Sequence, residues 1–416
     1  MFRPYGPPLM NDVKSGGAFE ALRYPDYFWF WSSYFVSNVG SWMQSIAMGW
    51  LLFELTNSPA YLGLFSALRM VLLISFFIIG GILSDRIDRR KGMLWIQFAY
   101  VATSVILAAL ISSGMIRVWH IFVLGAISST TWALEQPVRQ ALLPQLVPRE
   151  VLVNALALNA VTWNGAGLLG PSLVGLLVGI IGIDGCFYVN VVSHLAVVPA
   201  VLRLPARLGA PGQRRGTAVE SLVGGFRYVR GEPVIFTFLA VSAIFNIFGR
   251  SYVTLLPVFA KEVMRQGAAG FGFLAAAPGL GTIVGSLGLA SMGRVEAKRG
   301  LMISMLLGFT VVLGVFALTN NFPLAIGLLV MVGALSTVFE TLLSTSIQLQ
   351  VDEAYRGRVS GFHGLTGGGL RELGGMQAGI VAEWSGAPTA IVAGAVVLAV
   401  VGYIFLGARL KRVGSS

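Results

Sequence analysis

Charge is scarce in this chain. Aspartate, glutamate, lysine and arginine together make up 11% of its 416 residues, under half of the roughly 25% that a soluble domain carries. Cysteine is nearly absent: Cys186 stands alone, which excludes an intramolecular disulfide. The three histidines, His120, His194 and His363, are too scattered to suggest a metal site, and each reads as a packed side chain. No G-x-x-x-x-G-K-[ST] stretch occurs, so ATP drive within this chain is disfavoured. No nucleophile–base constellation and no soluble domain to hold one are visible, so no catalytic residue is assigned and an enzyme is not expected. The first 26 residues are polar and hold no apolar h-region, so a cleaved signal peptide is not expected.

Apolar residues fill the space that charge leaves. They make up 56% of the chain, with 52 glycines among the rest, and the mean hydropathy is +0.78. A bilayer core of about 30 Å needs roughly 20 apolar residues per helix. Twelve runs meet that length, at 28–53, 60–84, 93–114, 118–143, 154–180, 185–203, 233–259, 268–291, 300–319, 322–346, 359–383 and 387–408. The fold class that follows is an all-α polytopic membrane protein. The net charge of +11 lies between these runs rather than on one polar face, which favours membrane orientation over nucleic-acid binding. With both termini in the cytoplasm, Arg117, Lys261 and Arg265 fall in outer loops and Arg69, Arg250 and Arg371 within spans. The other 23 of the 29 basic residues lie inside, as the positive-inside rule requires.

The longest polar connection divides the spans six and six. The domains read as a cytoplasmic tail (1–27), a six-helix bundle (28–203), a cytoplasmic linker (204–232), a second six-helix bundle (233–408) and a short cytoplasmic tail (409–416). KGMLWI (91–96) is similar to RGLMIS (299–304), and PQLVPRE (144–150) to LQVDEAY (349–355), with Glu135 and Glu340 as counterparts. Two related six-helix halves are a transporter signature.

Residues 80–94 read GGILSDRIDRRKGML, with Asp85, Arg86, Asp88, Arg89, Arg90 and Lys91 crowded between apolar runs. The stretch resembles the G-x-L-x-D-R-x-x-R-R-K loop between helices 2 and 3 of the major facilitator superfamily. That resemblance implies the major facilitator fold, twelve transmembrane helices in two six-helix pseudo-repeats, working by alternating access. It also implies a cytoplasmic latch of Gly81, Asp85, Arg86, Arg89 and Arg90, to which Arg139 and Glu135 of span 4 are added. A plain positive-inside anchor would need neither Asp85 nor the glycine pair. SNVGSWMQSIAMGWLLFELTNSP (37–59), PVRQALLPQLVPREVLVNALALN (137–159) and QVDEAYRGRVSGF (350–362) are similar to the drug-efflux branch that includes macrolide and enterobactin exporters. Several members of that branch carry an acid where this chain has Ser41, so any proton-coupling role of that acid does not transfer. NGAGLLGPSLVG (164–175) is similar to the G-x-x-x-G-P motif of drug:proton antiporters, with Ala166 in place of its first glycine, and implies a span-5 bend at Gly167, Gly170 and Pro171. The same stretch fits G-x-G-x-x-G, but it lies in an apolar span with no preceding strand, so a nucleotide site is rejected.

An unpaired charge centred in a bilayer costs roughly 2.5–3.5 kcal/mol on insertion scales, so the charges inside spans single themselves out. Arg69 lies about nine residues into its span, roughly 14 Å at 1.5 Å per residue. Arg371 and Glu372 are adjacent, diverge by about 100° on a helix, and each need a partner on another helix or a water-filled cavity. Glu135 and Arg139 have ion-pair spacing across Pro137. Glu340 has no arginine four positions on. Glu340 and Glu372 are therefore the leading proton-coupling candidates, with Glu135 third. Arg250 is expected to snorkel to the surface, and Glu54 and Glu383 to be solvated at helix ends. The superfamily's central cavity is lined mainly by helices 1, 4, 7 and 10. Tyr34, Asn38 and Trp42 recur every four residues on one face, and with Arg69, Asn246 and Arg371 they are the substrate-cavity candidates.

These readings converge on a secondary transporter of the bacterial cytoplasmic (inner) membrane, expected to export amphipathic, drug-like small molecules against proton influx. A specific anionic metabolite, siderophore or lipid is the alternative substrate. No cofactor or metal is expected beyond the proton gradient. The expected partners are a small-molecule substrate and the lipid bilayer, with no nucleic acid, and the chain is expected to act as a monomer. In a Cys186→Ser background, a cysteine placed at Asp88 should react with a membrane-impermeant maleimide from the cytoplasmic side only. Labelling from outside would invert the topology.

Overall fold

The structure is a computed structural model that describes residues 19–84, 88–204, 218–291, 299–353 and 355–409. Local sequence sets where its helices start and stop. Pro25 and Pro59 occupy first-turn positions of α1 (Pro25–Thr56) and α2 (Pro59–Ser84), where the missing N–H costs nothing. Asn57 closes α1 in the left-handed region, at φ 47°. Asp88 caps α3 (Arg89–Ser112) by accepting from the Lys91 N–H at 3.1 Å, as short polar residues do at N-caps. α4 covers Val118–Leu142. The helical run Leu152–Arg203 is broken only at Gly182, whose φ of 71° turns the chain back on itself, a conformation that glycine adopts without steric cost. The two rods on either side are α5 and α6.

After a linker helix at Ala218–Gly231 come α7 (Pro233–Val263), α8 (Ala268–Ser291), α9 (Arg299–Leu318) and α10 (Phe322–Gln350). Arg356–Leu365, Thr366–Leu370 and Arg371–Ser385 run end to end as α11. α12 (Ala387–Gly407) follows the turn at Gly386. The described residues thus hold the twelve long rods that the apolar runs predicted. The linker, read as a polar connection, carries a helix that packs on the start of α11: Tyr228 stacks on Tyr355 with centroids 4.1 Å apart.

Eight of these runs, one of them the α5–α6 pair, are long and apolar enough to cross a membrane by composition alone. The rods that fall short are α1, α4 and α11. The outer surface is correspondingly apolar, with Val153, Ile180, Leu287 and Val311 exposed, as lipid contact requires.

α1–α6 and α7–α12 form two bundles. Within the first, α1 packs along α5 and α6, and α4 against α2 and α3; within the second, α10 packs on α8 and α9, and α12 on α9 and α11. The bundles meet where α2 crosses α11 and α5 crosses α8. Both crossings are glycine on glycine. A Cβ on Gly379 would stand 2.6 Å from the Gly63 backbone, and one on Gly272 2.3 Å from Gly175, so only bare backbones fit, as is common between membrane helices.

Twelve traversals put the start of α1 and the end of α12 on one face, here called the terminal face. The crossings lie toward the opposite, far face, and two polar contacts join them there. Glu383 of α11 accepts from the Ser58 hydroxyl at 2.6 Å and the Ala60 N–H at 3.1 Å, so its carboxylate sits on the N-terminus of α2 rather than free in solvent as expected. The Lys261 ammonium donates to Asn57 at 2.7 Å. The far face is therefore closed. Gly272→Val should wedge this seam apart, lowering stability by about 1–3 kcal/mol and raising labelling of a far-face cysteine. An unchanged unfolding midpoint with unchanged labelling would show that the crossing does not form.

Candidate substrate cavity

Below the closed seam, the terminal-face portions of both bundles surround a cavity with about 850 Å³ of empty space, part of it open to solvent. α1 contributes Tyr34, Asn38, Ser41 and Trp42; α2 contributes Arg69; α3, Tyr100; α4, Trp132 and Glu135; α5, Trp163; α6, His194; and α11, Arg371 and Glu372. α1, α4 and α11 are the rods too polar to pass as spans by hydropathy, because one face of each is turned to this space.

The walls divide by chemistry. Trp163 stands between Trp42 and Trp132, with ring centroids 5.7 and 5.9 Å away, making an aromatic wall on the first bundle. Across from it, Arg69 of α2 pairs with Glu372 of α11 at 3.2 Å. This pair links the two bundles. The Arg69 Nε is buried with no hydrogen-bond partner among the described residues. Arg371 also faces the cavity, and among the described residues it forms no ion pair or side-chain hydrogen bond. Adjacent helix positions should diverge, yet Arg371 and Glu372 both reach the cavity. A π-type turn, Thr366–Leu370, lies directly before them, and such turns are frequent at functional sites.

Several sequence expectations change here. Glu340, taken as unpaired, receives both the Nε and the Nη2 of Arg250, at 3.2 and 2.5 Å. Its partner comes from α7, a distance in sequence that an (i, i+4) search misses. The proton-carrier assignment of Glu340 loses its basis, and Arg250 does not snorkel. Asn246 turns back onto the Ser242 carbonyl at 2.9 Å and is not on the cavity wall. Phe245, Phe309 and Phe339 close the middle of the second bundle with centroid separations of 4.9 Å. The cavity accordingly leans on α1, α2, α4 and α11 instead of drawing equally on helices 1, 4, 7 and 10.

The Glu135–Arg139 ion pair does not form. Glu135 is buried and accepts from the Tyr100 hydroxyl at 3.1 Å. Arg139 donates to Asn159 and, at 2.5 Å, to Gln136, with its guanidinium 4.8 Å from the Tyr34 ring centroid. Neighbours on α3 and α5 outcompete the partner one turn away.

Of the latch residues, Asp85 and Arg86 lie outside the described residues, and Gly81 is in the last turn of α2. Arg89 donates to the Ala141 carbonyl at 3.2 Å and Arg90 to the Leu202 carbonyl at 2.6 Å. Both bonds stay within the first bundle and cap the C-termini of α4 and α6, where cations are favoured; neither bridges the halves. In α5 the backbone keeps helical angles through Pro171. A Cβ on Gly170 would stand 2.5 Å from that of Trp42, and one on Gly167 3.5 Å from the Trp42 ring. These two glycines bring α5 against α1 and help place that indole.

The sequence reading missed a buried polar chain behind the first-bundle wall. The Ser41 hydroxyl meets His194 Nε2 at 3.1 Å, and His194 Nδ1 meets Gln97 Oε1 at 2.7 Å. The imidazole stacks on Tyr100 with centroids 4.4 Å apart. Its one sequence signal was a histidine inside an apolar run. No group of three or more histidine, cysteine, aspartate or glutamate side chains able to hold a metal occurs among the described residues.

Two six-helix bundles around a polar cavity define a secondary transporter of the major facilitator class, an integral membrane protein and not an enzyme. The chain belongs to the transmembrane secretion effector family, whose profile matches residues 16–416. It is 28% identical over 335 residues to the enterobactin exporter EntS of Shigella boydii serotype 18, covering 79% of this chain and 78% of that protein. The EntS of Escherichia coli O139:H28 is 27% identical over the same length. Among solved structures, a bacterial homologue of the human lysosomal transporter Spinster, in its inward-facing and unoccupied conformation, aligns with a TM-score of 0.72 at 14% identity, over 95% of this chain and 98% of that one. The nucleoside transporter NupG aligns with a TM-score of 0.72 at 15% identity, over 93% and 99%. These likenesses carry the fold.

A double-mutant cycle tests the bridge between the bundles. Arg69→Gln and Glu372→Gln should each cost about 1–3 kcal/mol, since each strands a charge-assisted bond, while the double variant should cost less than their sum. Additive losses would show that the two side chains do not interact.

Proposed function

We propose that this protein exports amphipathic small molecules that carry both aromatic rings and an acidic group, by alternating access driven by proton influx. The observation that carries the substrate class is the Arg69–Arg371 edge of the cavity. One guanidinium has a partnerless buried N–H and the other is unpaired among the described residues, and both open on the space walled by Trp42, Trp132 and Trp163. An acid satisfies the arginines, while aromatic rings stack on the indoles. The name of the exporters it is similar to agrees with a siderophore-like anion, and this favours the anionic substrate over a broad neutral drug.

The positive-inside rule puts the terminal face, with both termini, in the cytoplasm. The conformation described here then opens inward, ready to load substrate for export. Glu372 is the remaining leading candidate for the proton site, because protonating it would free Arg69 for a substrate acid and unlink the bundles in one step. The cavity is complete within one chain, so a monomer in the bacterial inner membrane suffices.

Transport into everted vesicles tests this reading. Arg371→Gln should raise KM for an aromatic acid about ten- to a hundred-fold, the value of one charge-assisted bond, and leave the esterified analogue unchanged. Equal effects on acid and ester would remove the anion site. Export indifferent to an imposed pH gradient would remove proton coupling.

A further inference from the structure

Glu372 is one titratable group on the cavity wall; His194 is another, and nothing so far gives it a task. It lies in α6, is 2% exposed, and is held at three points. Gln97 Oε1 is a carbonyl oxygen and only accepts, so Nδ1 carries a hydrogen and donates at 2.7 Å. Nε2 then holds the lone pair and accepts from the Ser41 hydroxyl at 3.1 Å. The ring face rests on Tyr100, whose own hydroxyl donates to Glu135. Ser41, Tyr100, Glu135 and His194 all contribute to the cavity lining.

This arrangement suits either protonation state. A hydroxyl is both donor and acceptor. When a proton adds to Nε2, Ser41 rotates from donating its hydrogen to accepting the new one. The Nδ1–H···Gln97 bond persists in both states. No other bond is made or broken, and loss of the proton from Nε2 restores the first pattern. A histidine that serves only to pack needs no partner able to reverse its role, and here that partner, Ser41, itself lines the cavity.

Charge balance is also at hand. The titratable and charged groups facing this site are Tyr34 from α1, Tyr100 from α3, and Glu135 and Arg139 from α4. Arg139 is engaged by Asn159 and Gln136, while the Glu135 carboxylate accepts from the Tyr100 hydroxyl and forms no ion pair among the described residues. We propose that His194 is a proton-binding site of the transport cycle, entered from the cavity through the Ser41 hydroxyl and balanced by Glu135 through Tyr100. The inference rests on the proton-coupled reading above, and it places a proton in the first bundle in addition to Glu372 at the seam.

The test uses the full chain in proteoliposomes with an aromatic acid as substrate and a trapped pH dye. His194→Asn keeps a donor toward Gln97 and removes the titrating nitrogen. At saturating substrate, the ratio of export with a tenfold proton gradient to export without one should fall at least several-fold. Ser41→Ala, compared with wild type at saturating substrate, should slow proton uptake, and an unchanged rate would remove the Ser41 path. Wild-type export that responds to the gradient, together with an equal response in His194→Asn, would overturn the His194 site and leave coupling standing. Wild-type export with no response overturns both. If His194→Asn does not fold, nitrogen-15 NMR of the wild-type imidazole decides the matter. A ring that changes protonation across roughly pH 5 to 8, where histidines ordinarily titrate, supports the site, and one that stays neutral throughout overturns it.

Discussion

A charge inside a bilayer needs a counter-charge, hydrogen-bonding side chains or a water-filled cavity within the protein, and this chain has few charges to place. Arg69 and Glu372 come from α2 and α11, which belong to different bundles, so their bond spans the plane along which the bundles must separate. The bond lies at the edge of a cavity, with the Arg69 side chain about one-third exposed and that of Glu372 buried. Bundle contact, cavity chemistry and the proposed cycle all meet at this pair. Arg250 and Glu340 obey the same constraint differently: both lie in the second bundle, so their bond stiffens one rigid body and has no bearing on the seam.

The seam itself is made by absence of side chains. At Gly63–Gly379 and Gly175–Gly272 two backbones touch, and dispersion over such close contacts substitutes for the hydrophobic drive that lipid removes. Glu383 and Lys261 add polar closure at the far end. Closing one end by backbone contact leaves the other end free to diverge, and the cavity sits where the divergence begins. The hydropathy of α1, α4 and α11 reflects this placement, since a helix with one face on water cannot also be apolar all round.

The two walls of the cavity differ because the bundles differ. In the second bundle, Phe245, Phe309 and Phe339 fill the centre and Asn246 is turned away. In the first bundle, Gln44, Ser104 and Asn190 form a closed buried knot, with bonds of 2.7 to 3.1 Å. The chain from Ser41 through His194 runs beside it and reaches the open space. One network fixes the packing, and the other communicates with the cavity. Burial alone does not distinguish them; access does.

The sequence by itself determined the class, the twelve rods and the two bundles, because lipid demands long apolar runs and because proline, asparagine, aspartate and glycine mark helix ends by local geometry. It also determined that Tyr34, Asn38 and Trp42 share a face, a consequence of the helical period. Tertiary structure decided what each charge does. Glu340 looked unpaired because its arginine is 90 positions away, while Glu135 and Arg139 looked paired because they are four apart. His194 looked isolated because Ser41 and Gln97, its hydrogen-bond partners, lie on other helices. Spacing reports neighbours on one helix, but within a bundle the nearest polar group is more often on the next one, and only packing brings it there.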